Sequence, residues 1–111
     1  LIKSFHYLLK NSKNGRLVIV SSNQDNGNQY WGVYQPIMKA LNELLITYAN
    51  ENKKTNIKAN ILCPKAVNTN FRDKIMPGEN KNTLLSVNEV AERIIELTSK
   101  DFKETGKIIN I

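Results

Sequence analysis

The sequence predicts an α/β fold: a small parallel sheet with helices on both faces. Two observations point there. Helical and strand-like segments alternate along the whole chain, and Leu17–Val20 is a run of four aliphatics with no polar face for water. A strand of that kind is buried on both sides, which parallel sheets achieve through the helices that connect their strands.

Each element follows in order. Residues 1–12 place Leu1, Ile2, Phe5, Leu8 and Leu9 at helical spacing, with Lys3, Ser4 and Lys10 on other faces. Asn14-Gly15 ends that helix in a turn, and Arg16–Val20 is the first strand. A polar loop runs from Asn23 to Gln29 and contains Gly27. From Tyr34 to about Asn52 the pattern is helical: Ile37, Leu41, Leu44, Leu45 and Tyr48 recur at i, i+4, i+7, i+8 and i+11. Pro36 is tolerated because it falls in the first turn, where its missing N–H bonds nothing. Ile57–Cys63 is a second strand, stopped by Pro64. A long connection follows, carrying Pro77-Gly78. Ser86 then caps a helix to about Ser99, and Glu89 three residues on completes a capping box. Lys107–Ile111 is a last short strand.

Composition bounds the partners. With 111 residues, 41% hydrophobic and 23% charged, the chain suits one compact domain. No apolar run approaches the ~20 residues of a membrane-spanning helix. The opening segment carries Lys3 and Lys10 and no small-residue cleavage site, unlike a signal peptide. The expectation is a cytoplasmic protein; a first residue of Leu1 rather than Met suggests a piece of a longer one. Cys63 is the only cysteine and His6 the only histidine, which excludes an internal disulfide and a multi-cysteine metal site. The net charge of +6 raises nucleic acid as a partner. Against it, thirteen of the sixteen basic residues are Lys, scattered except at Lys53-Lys54, and Arg occurs only at Arg16, Arg72 and Arg93. Neither nucleic acid nor a membrane is therefore expected.

GRLVIVSS, then YWGVY about a dozen residues later and KALNELLITYANE, then a strand leading into Pro64–Thr69, FRDKIMPGEN, TLLSVNEVAERI and TGKIINI, fall in one register over essentially all 111 residues. Together they resemble the short-chain dehydrogenases/reductases. The resemblance implies a Rossmann-like doubly wound parallel sheet, of which residues 1–111 would be the C-terminal part, about three strands with flanking helices. This would be a single partial NAD(P)-binding domain lacking the N-terminal, cofactor-binding half. It implies an active-site serine after the first strand, Ser22, with Ser21 as the alternative. Tyr34 is the implied proton donor at the start of the long helix, where it also borders the nicotinamide. Thr69 is an implied cofactor contact, although a Thr opening a short helix at Asn70-Phe71 is equally an ordinary cap.

Three positions depart from the pattern. A lysine belongs four residues after the tyrosine, on the same helix face, where its ammonium favours phenolate; here that position is Met38. Lys39 is no simple replacement, because it lies ~140° around the helix from Tyr34 whereas residue 38 lies ~40° away. An unassisted phenol has a pKa near ~10, so ionising it at neutral pH costs roughly 4 kcal/mol. After the second strand, Lys65 follows Pro64 where the family has Gly, which puts close backbone approach in doubt. Finally, Gly15, Gly27, Gly32, Gly78 and Gly106 include no two close enough to form a phosphate-binding turn. The resemblance thus implies an oxidoreductase using NAD or NADP on a small-molecule substrate, truncated and catalytically impaired, completed by an N-terminal half or forming a homo-oligomer through its helices. The alternative is a non-catalytic remnant or a helix-mediated interaction module.

Overall fold

A computed structural model describes residues 1–22 and 29–111; the expected loop from Asn23, with Gly27, lies outside them but for Gln29. The elements are α1 (Ile2–Asn11), β1 (Arg16–Val20), α2 (Tyr34–Glu51), β2 (Lys58–Cys63), α3 (Asn70–Ile75), α4 (Val87–Thr98) and β3 (Ile108–Asn110). They form a three-stranded sheet in the order β1-β2-β3. Both pairings are parallel, Arg16↔Lys58 to Val20↔Leu62 and Ile61↔Ile108 to Cys63↔Asn110. This is the expected α/β architecture.

Parallel strands put alternate residues on opposite faces. Leu17, Ile19, Ala59, Ile61 and Cys63 share the face that packs against Leu45 and Ala49 of α2 and Ile2 of α1. The tie between the two helices is a 2.9 Å hydrogen bond linking His6 Nδ1 with the Tyr48 hydroxyl, so the lone histidine sits at a helix–helix contact. The opposite face is covered by α4, which packs on β1 and buries Leu97. Asn60, mid-strand and fully buried, would be costly without partners. It has both: its Nδ2 donates to Glu104 O at 2.9 Å and its Oδ1 accepts from Lys107 N at 3.0 Å, pinning β3 to β2. Gly15 enters β1 so close to α1 that a Cβ there would stand 2.4 Å from Leu9 O, which makes the turn glycine-only.

Two expectations change. The buried side of α2 is Asn42, Leu45 and Ala49, while Ile37 and Leu44 of the predicted stripe point outward at 55% and 58% exposure. The stripe read from hydrophobicity alone is broader than the surface the sheet covers. Five of the thirteen lysines, scattered along the chain, come together in space. Because all three strands run the same way, the loops leading into them, with Lys13, Lys53, Lys54, Lys100 and Lys103, meet at one end of the sheet.

Among the described residues one edge of the sheet is open. Beside β1 a groove of about 580 Å³ runs under α1, lined by Ile2, Phe5, Leu8, Leu9, Leu17 and Ile19 among others. Ser21 N donates to Leu62 O and Lys58 N to Gly15 O, so odd-numbered β1 residues face β2. The amides of Arg16, Val18 and Val20 therefore face the groove side.

Candidate functional site

The strands' C-terminal ends gather the residues singled out from the sequence. β1 ends at Ser21 and Ser22, β2 at Pro64-Lys65, and α2 begins with Tyr34. Two rungs tie the end of β1 to α2. Ser21, buried, directs its Oγ to Met38 Sδ at 3.8 Å. Ser22 accepts at its carbonyl from Asn42 Nδ2 at 3.2 Å. The hydroxyl at the Met38 slot is thus that of Ser21, the alternative serine. Tyr34, Met38 and Asn42 stand at i, i+4 and i+8 on one helix face, and Asn42 is 4% exposed with its Oδ1 lacking any partner among the described residues. Hydrophobic periodicity does not mark Asn42; its spacing from Tyr34 and Met38 is the signal in the sequence that could find it.

Tyr34 is 42% exposed and its ring tilts against Trp31, with centroids 5.2 Å apart. Met38 is half-buried and Lys39 exposed, in keeping with the helical angles. A thioether is a weak acceptor without charge, so the pair Ser21–Met38 offers Tyr34 no cation.

At the end of β2, Cys63 is buried, and burial pushes its thiol pKa up. Lys65 is exposed, with its backbone N–H donating to Ile111 O at 2.9 Å. Thr69 caps α3: its hydroxyl accepts from Arg72 N at 3.1 Å. Arg72 then grips Glu79 with two hydrogen bonds, Nε to Oε2 at 2.8 Å and an Nη to Oε1 at 2.9 Å. That fork lowers the Glu79 pKa below its ordinary value and closes the loop over Pro77-Gly78, where Gly78 takes φ +85°.

Do these residues fit a dinucleotide? Gly15, Gly32, Gly78 and Gly106 lie apart, and none opens a helix directly after a strand. The Thr69 hydroxyl accepts in its cap and keeps its O–H to donate, but one hydroxyl is no cradle. The described residues therefore present no pyrophosphate cradle and do not fit the group on their own. Nor do they hold a cluster of three or more His, Cys, Asp or Glu able to bind a metal. No helix among them is long and apolar enough to cross a membrane.

A family model described as short chain dehydrogenase matches residues 1–80. The chain belongs to the short-chain dehydrogenase family. Solved members share its fold. One from Salmonella enterica serovar Typhi superposes with a TM-score of 0.90 at 24% identity, covering 99% of this chain and 46% of that one. Another, from Pseudomonas syringae, gives 0.88 at 26% with the same coverage. A third, from Shigella flexneri and complexed with NADP, gives 0.88 at 23%, again over 99% and 46%. The chain thus spans just under half the length of these short-chain dehydrogenases. No curated protein sequence matched it.

Proposed function

We propose that the chain is the substrate-side part of an NAD(P)-dependent short-chain oxidoreductase that acts together with a cofactor-binding half and is impaired at Met38. In this reading residues 1–111 are a partial Rossmann-type domain acting in the cytoplasm on a small-molecule substrate. Tyr34 exchanges a proton with the substrate oxygen and Ser22, or Ser21, holds that oxygen. Tyr34 and Thr69 border the cofactor, NAD or NADP, consistent with the NADP-complexed relative. The observation that carries the impairment is the 3.8 Å contact of Ser21 Oγ with a thioether where the family pattern has an ammonium. The groove and open edge at β1 suit the strand and helix of a cofactor-binding half.

A second reading, a non-catalytic remnant, is favoured by Met38, the exposed Lys65 and the lack of a phosphate cradle among the described residues together. A homo-oligomer or interaction module would instead use the outward apolar residues Phe5, Tyr7, Ile37 and Leu44 of α1 and α2.

Fluorescence titration of NADH and NADPH separates these. The lone chain is expected to bind neither, and a mixture with a cofactor-binding half to bind one. In that mixture Met38→Lys should raise turnover by up to about a thousandfold, the phenolate fraction an unassisted tyrosine forgoes. An unchanged rate in a mixture that binds cofactor would favour the remnant. Tight cofactor binding by the lone chain would overturn the division into halves.

A further inference from the structure

The end of the sheet opposite the candidate site is strongly basic, and the topology makes it so. Lys13 lies in the turn before β1, Lys53 and Lys54 in the turn before β2 with Lys58 opening that strand, and Lys100 and Lys103 precede β3. Arg16 draws these loops together, donating to the carbonyls of Ser99 and Lys100 at 3.1 Å and of Asn56 at 3.4 Å. These seven cations face three carboxylates at the same end, Glu51, Asp101 and Glu104, so four of the chain's six net positive charges collect there.

A plainer role would be to neutralise helix ends, since α1, α2 and α4 also finish at this pole. Each helix C-terminus carries about half a negative charge, or roughly 1.5 for three, which leaves most of the excess uncompensated. Arg16 and Lys103 are engaged with backbone carbonyls. Lys13, Lys53, Lys54, Lys58 and Lys100 are not: none enters any of the three ion pairs of the described residues, and all are exposed but Lys58, which is half-buried.

We propose that this pole binds the phosphate backbone of a nucleic-acid duplex without reading its sequence. Its partner is polyanionic and extended. Neighbouring strands stand about 5 Å apart and the lysines lie in the loops that lead into all three, so the positive surface is spread out and not gathered at one point. An anionic bilayer fits less well, because none of the loops at this end carries an exposed large apolar side chain to insert. Lysines with no free Arg and no exposed aromatic give contact with phosphates and no discrimination among bases. Lysine spacing along the chain argues against such a partner; spacing in the fold argues for it.

Fluorescence anisotropy of a short labelled DNA duplex of mixed sequence tests this. Binding should be insensitive to sequence and weaken with salt, log K against log salt falling with a slope of about −4.5 for some five neutralised phosphates. Lys53→Gln with Lys54→Gln, both exposed, should reduce that slope by about 2 while leaving the circular dichroism spectrum intact. Three results would each overturn the proposal: no binding at low salt, a slope unmoved by the double substitution, or binding to phosphatidylserine vesicles with none to the duplex.

Discussion

At Asn42 a polar side chain occupies a position that its neighbours along α2 would fill with a hydrocarbon. Its amide nitrogen holds the Ser22 carbonyl, while its oxygen is buried without a donor. An unpartnered buried acceptor costs about 1–3 kcal/mol, whereas a single neutral hydrogen bond contributes about 1. Asn42→Ala removes both, and water reaches the half-buried Ser22. The two effects nearly cancel, so urea unfolding should register a loss under about 1.5 kcal/mol. Leu45→Ala, three residues on and 1% exposed, should cost roughly 2–5 kcal/mol. Equal losses would show that the Asn42 oxygen has a partner after all. Met38 was legible in the sequence because a motif with fixed spacing exposes any departure from it. Asn42 was not, because hydrophobic periodicity is blind to a buried polar group whose partner is a backbone carbonyl.

Among the elements, α4 was the most readable, since its start is set by local chemistry. Ser86 and Glu89 exchange hydrogen bonds in a full capping box, Ser86 Oγ accepting from Glu89 N at 3.2 Å and Glu89 Oε2 from Ser86 N at 2.7 Å. The hydrogen bond from the Ser86 backbone lowers the Glu89 pKa below its ordinary 4.5. A carboxyl whose folded pKa lies below its unfolded one stabilises the fold above the unfolded value and ceases to as pH falls through the folded one. Thermal melts should therefore separate wild type from Glu89→Gln at pH 7 and bring them together in acid, below the folded pKa of Glu89. A gap of constant size would show that the Glu89 charge contributes nothing. Ser86→Ala removes the cap hydroxyl and should cost about 1 kcal/mol at pH 7. The buried side of α2 was less readable than this cap, because it depends on where the sheet lies. Ile37 and Leu44 match the helical period and still face outward.

For the whole molecule, the two edges of the sheet differ. β3 is three residues long and so offers little for another strand to pair with, one of the ways natural sheets protect an edge. β1 is five residues of Arg-Leu-Val-Ile-Val with a 580 Å³ apolar groove beside it, and nothing in the described residues covers it. Direction and number of strands were both legible, because alternation of aliphatic runs with amphipathic segments leaves few ways to pack. The basic pole was not, since it arises only when strands far apart in sequence are laid side by side. An edge of this kind favours association at micromolar to millimolar concentrations. The lone chain should therefore sediment above its monomer mass, increasingly with concentration. Leu8 lines the groove at 66% exposure, so Leu8→Lys puts a charge there at little cost to the core. That variant should return to the monomer with its helix content unchanged. A wild type that stays monomeric over the same range would mean that the edge is closed by contacts within the chain, and that the groove is not where a further strand belongs.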